Sequence, residues 1–128
     1  MLRKFGCALL CASTLFSTHA LAMTHTMSPG VSIDYSLQPG QPETLVNYWF
    51  WSIKATCVVT GEDPSNDIYA VVLNKQGTIN GKPLSMGQDL LMTVHPGDKL
   101  FITAESGAKV ELTNRGEHTV IAHCSTST

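Results

Sequence analysis

Three groups of residues have the types and spacing to do chemistry. The run Tyr48-Trp49-Phe50-Trp51 contains both tryptophans of the chain. Four consecutive aromatic side chains supply a large apolar area, able to stack on a sugar ring or anchor a protein interface. Cys57 and Cys124 are a candidate disulfide. Met23-Thr24-His25-Thr26-Met27 is the third group. If Met23 carries a free amine, His25 stands third, and amine, two amide nitrogens and imidazole can wrap Cu(II) or Ni(II) in a square. Met27 adds a thioether suited to reduced copper.

The remaining polar residues are less pointed. Glu62, Asp63 and Asp67 share a loop with Pro64 and Asn66 and offer hard oxygen ligands of the kind Ca²⁺ takes, but read as a solvated acidic loop. Ser106-Gly107-Ala108-Lys109 matches Ser-x-x-Lys by letter, yet sits where a hairpin turn is expected rather than at the start of a helix. His118 falls on the inward parity of a last strand and His123 on the outward parity, which makes them poor co-ligands; His95 is a strand-end residue. No Cys-x-x-Cys, His-Glu-x-x-His or glycine-rich phosphate loop is present. A non-catalytic role is expected.

What positions these groups is a β-rich chain behind an export signal. Arg3 and Lys4, the apolar stretch Phe5 to Phe16, and Ala20-Leu21-Ala22 read as a cleavable signal over residues 1–22. The apolar stretch is shorter than the about 20 residues that a membrane-spanning helix needs. Cys7 and Cys11 leave with it. Removing 22 of 128 residues leaves 106, expected to form one domain over residues 23–128, and losing Arg3 and Lys4 takes the formal charge from -2 to -4. Nucleic acid and anionic lipid surfaces are unlikely partners on that balance. The expected location is the periplasm or the extracellular space.

Period-two alternation dominates the rest. Val31, Ile33, Tyr35 and Leu37 alternate with polar residues; Thr44 to Thr60 is long and apolar, with a bend or bulge expected near Ser52. If that run is a strand, Tyr48 and Phe50 oppose Trp49 and Trp51, so one pair fills a core and the other needs a cover. Ile68 to Leu73 reads as a strand covered on both sides, and Asn80-Gly81 as a type I′ hairpin. Strands also follow at Leu90–Val94, Leu100–Glu105, Val110–Leu112 and His118–Cys124. Eight or nine short strands broken by Pro-Gly, Asn-Gly and Ser-Gly turns indicate an all-β, antiparallel two-sheet sandwich of immunoglobulin-like outline.

Cys57 and Cys124 then share inward parity with Ala55 and Val59, and with Val120 and Ala122, and an exported chain meets oxidising conditions, so one disulfide is expected. The spacing resembles that of an immunoglobulin pair. However, both tryptophans precede Cys57 and Ala122 stands where such domains have tyrosine, so the likeness extends to architecture and not to family. The sequence thus points to a small exported binding or accessory protein acting through protein–protein contacts, as a monomer or a homodimer. Copper binding at Met23, His25 and Met27 is the alternative, and a carbohydrate-binding module or small hydrolase is a third reading.

Overall fold

The computed structural model describes residues 23–128, so the proposed signal segment lies outside the described residues. The described residues form eleven strands and no helix. They are β1 (Met23–Met27), β2 (Ser32–Leu37), β3 (Pro42–Asn47), β4 (Ile53–Gly61), β5 (Asn66–Asn74), β6 (Gln76–Ile79), β7 (Lys82–Ser85), β8 (Asp89–Val94), β9 (Lys99–Ala104), β10 (Lys109–Asn114) and β11 (Val120–Ser127). One sheet runs β2-β11-β4-β9-β6-β7, the other β1-β3-β10-β5-β8. Alternation places Ile53, Ala55, Cys57 and Val59 of one sheet, and Ile68, Ala70 and Val72 of the other, in a shared buried core. The expected all-β sandwich is the fold.

Turn chemistry punctuates it where expected. Asn80 and Gly81 both have positive φ, 51° and 81°, and join β6 to β7 as a two-residue hairpin. Pro39-Gly40 is closed by Gln41 N donating to Gln38 O, and Pro96-Gly97 by Asp98 N donating to His95 O.

Several expectations need correction. The sheets are not wholly antiparallel: β1 runs parallel to β3 at a sheet edge. The run from Thr44 to Thr60 is not one bent strand. It ends at Asn47, crosses to the other sheet and restarts at Ile53. In β5 only one face is covered, since Ile68, Ala70 and Val72 are buried whereas Leu73 is exposed and Tyr69 and Val71 are half-buried. Apolar residues on both faces give the pattern of a doubly covered strand, but no layer of the described residues lies over the outer face.

The fold also carries an internal repeat. Cys57 and Cys124 are bonded to each other across directly paired positions of β4 and β11, 67 residues apart in sequence. The same offset carries β2 onto β9, β3 onto β10 and the start of β4 onto that of β11. The pairings follow: Val120 opposes Leu37 as Ile53 opposes Ala104, and Ser125 opposes Ser32 as Val58 opposes Lys99. The four consecutive strands β2-β11-β4-β9 therefore map onto themselves by a pseudo-twofold rotation, with the disulfide at its axis. Among the described residues β5 to β7 have no counterpart, and β5 lies between β10 and β8.

Candidate functional site

The chain passes between sheets at two equivalent places, residues 48–52 and residues 115–119, and one device holds both. At the first, the fully buried Asn47 side chain donates from Nδ2 to the carbonyls of Trp51 (3.0 Å) and Ala104 (2.9 Å). Its Oδ1 accepts from Trp49 N (2.8 Å). At the second, the fully buried Asn114 donates to the carbonyls of His118 (2.8 Å) and Leu37 (2.8 Å) and accepts from Gly116 N (2.8 Å). The backbone repeats the pattern: Gly107 N donates to Asn47 O and Gly40 N to Asn114 O, each at 2.7 Å. A strand-ending asparagine thus supplies, in both loops, the bonds that the backbone loses on leaving its sheet.

The two loops differ in what they present. Residues 115–118 are Arg-Gly-Glu-His. Residues 48–51 are the aromatic run, and all four rings face solvent, with exposures of 66% for Tyr48, 39% for Trp49, 81% for Phe50 and 57% for Trp51. The expected division into a buried and an outward pair fails because these residues are not on a strand. Their ring centroids lie 6.0–6.2 Å apart among Trp49, Phe50 and Trp51, with the two indoles edge to face at 87°. Ser106 Oγ donates to Trp49 O (2.6 Å), fastening the loop to the 105–108 turn. Trp49 and Trp51 also line a shallow groove with Pro29, Gly30 and Thr126 to Thr128.

This exposure is energetically conspicuous. Burying one large apolar side chain contributes about 1.5–3 kcal/mol, and this loop leaves three mostly uncovered and Trp49 partly so. The loop of residues 115–118 achieves the same crossover without any aromatic residue, so closing the fold does not require them. Contiguous exposed apolar area is characteristic of surfaces that other molecules cover.

The candidate copper ligands are differently placed. Met23, His25 and Met27 share one face of β1 but descend from solvent into the core: Met23 is exposed, His25 half-buried and Met27 buried. His25 Nε2 lies 2.6 Å from Oε1 of the buried Glu43, and its ring meets Tyr35 edge-on at 5.0 Å. Wrapping a metal at an amine on Met23 would require β1 to leave β3 there and His25 to leave Glu43, and Met27 lies in the core. Among the described residues, no three His, Cys, Asp or Glu side chains are grouped to hold a metal ion.

The other histidines also face carboxylates. His95 bonds Asp98, which both the backbone and the ring of His95 hold below the ordinary carboxylate range. His123 bonds Asp34 on the outer sheet face, as its parity implied. His118 departs from expectation. It lies before β11 in the 115–119 loop, exposed and 2.9 Å from Asp63, instead of pointing inward. The Asp63 hydrogen bond, reinforced by the charges of Asp63 and Glu62, raises its pKa. The pair therefore favours the folded state below the ordinary imidazole value of about 6.5, and this contribution disappears as pH rises through the raised one. An NMR titration is expected to find His118 protonated to higher pH than a free imidazole, and Asp63→Asn to remove that difference; an unchanged titration contradicts the pairing.

Spacing could have disclosed the repeat that sequence reading missed. Pro29-Gly30 and Pro96-Gly97, Gly40 and Gly107, Leu45 and Leu112, Asn47 and Asn114, and Ala55 and Ala122 all recur at the cysteine offset. No protein-family model matches the chain, and neither a curated protein nor a solved structure matches it.

Proposed function

We propose that this is an exported, non-catalytic binding or accessory protein whose working surface is the loop Tyr48–Trp51. The observation that carries the reading is the contrast between equivalent loops: one hydrogen-bonded frame holds four exposed rings at one end and Arg-Gly-Glu-His at the other. Export is supported by the charge, apolar stretch and small-residue pattern of residues 1–22, and by a disulfide of the kind that oxidising compartments preserve.

Capture from native periplasmic and extracellular fractions tests this reading. Immobilised mature protein is expected to retain a partner that Trp49→Ala/Trp51→Ala does not, while the variant unfolds with a stability within about 1 kcal/mol of the parent, as exposed substitutions usually do. Equal retention by the two proteins contradicts it.

A further inference from the structure

We infer that the aromatic loop docks on the interfacial layer of a phospholipid bilayer carrying anionic headgroups; the inference rests on the reading of that loop as the working surface. The four rings are exposed together, with Phe50 the most exposed, and a bilayer surface needs no shaped cavity to receive them. Trp and Tyr combine an apolar body with one polar atom, which concentrates them at the level of lipid headgroups.

The distribution of charge supplies the second reason. Lys54 follows the loop at the start of β4, Lys109 opens β10 beside Val46, and the Lys75 chain lies against Gly107, whose N–H bonds Asn47 O. None of these ammonium groups is within ion-pair distance of a carboxylate of the described residues. Glu105 is the acidic group in the neighbouring turn. The opposite end carries Glu62, Asp63, Asp67, Asp98 and Glu117, together with Lys99 and Arg115. An overall negative charge argues against an anionic surface only when that charge is evenly spread. Here five of the ten acidic residues lie at the end away from the rings, and Lys54, Lys75 and Lys109 stand on elements that adjoin the loop.

No helix of the described residues is long and apolar enough to cross a membrane. Both tryptophans lie in the loop, and their emission reports its surroundings directly. Mature protein is mixed with vesicles of phosphatidylethanolamine and phosphatidylglycerol, or of phosphatidylcholine alone, and followed by sedimentation and fluorescence. Binding to the anionic vesicles with a blue-shifted emission is expected. Lys54→Gln/Lys75→Gln should weaken it about thirtyfold, the factor for two lysines at an anionic surface. Phe50→Asp should weaken it at least about tenfold without altering the circular dichroism spectrum. No sedimentation and unshifted emission with either vesicle overturn the bilayer as partner. If Trp49→Ala/Trp51→Ala still loses capture of a native protein, the loop remains the working surface and its partner is that protein. If that variant loses nothing, the reading of the loop falls as well.

Discussion

Replacing Cys57 and Cys124 together by alanine is expected to lower stability by about 4 kcal/mol. The bond closes a 67-residue loop, and its main effect is to restrict the unfolded chain. A domain of this size has about 5–15 kcal/mol in total, so the double variant should unfold at much lower urea concentration while keeping its strand content. Position adds to the effect. The cysteines face each other at the pseudo-twofold axis of the four-strand core β2-β11-β4-β9, and both side chains are buried. Far-UV circular dichroism is the appropriate probe, because the tryptophans lie in an exposed loop and report unfolding poorly. A loss below about 1 kcal/mol would contradict the assignment of the bond as a principal staple.

Asn47→Ala and Asn114→Ala are expected to cost similar amounts, about 2–4 kcal/mol each. In either case two carbonyls and one N–H lose their partner, and an unsatisfied buried group costs about 1–3 kcal/mol, less whatever entering water recovers. Their functional effects should separate. Asn47→Ala frees the loop that carries the rings and should weaken partner capture, whereas Asn114→Ala frees the polar loop and should leave capture unchanged. Urea denaturation and the capture assay on both variants measure this. Strongly unequal stability losses would contradict the equivalence of the loops.

Much of the fold is legible along the chain because strand alternation and turn residues are local. Ile53 to Val59 shows its buried face, Asn80-Gly81 its hairpin, and the inward parity of Cys57 and Cys124 their bond. The aromatic loop is not legible in this way. Tyr, Trp and Phe favour strands, so Thr44 to Thr60 reads as continuous, whereas the bonds of the Asn47 side chain to Trp51 in the loop and to distant Ala104 hold the chain where β3 ends. His118 was misplaced for the same reason: Asn114 ends its strand, so parity counted from Cys124 does not extend back to it. The outer face of β5 has apolar residues without a covering layer, a matter of sheet order that no local pattern encodes.

The proposed role of the rings at 48–51 is contact and not closure of the fold. It is tested most directly by giving that loop the side chains of its equivalent: Tyr48→Arg/Trp49→Gly/Phe50→Glu/Trp51→His, followed by urea denaturation alongside the capture assay. Cooperative unfolding with stability within about 1 kcal/mol of the parent and complete loss of capture are expected. A chimera that fails to fold, or one that folds and still captures the partner, would contradict it.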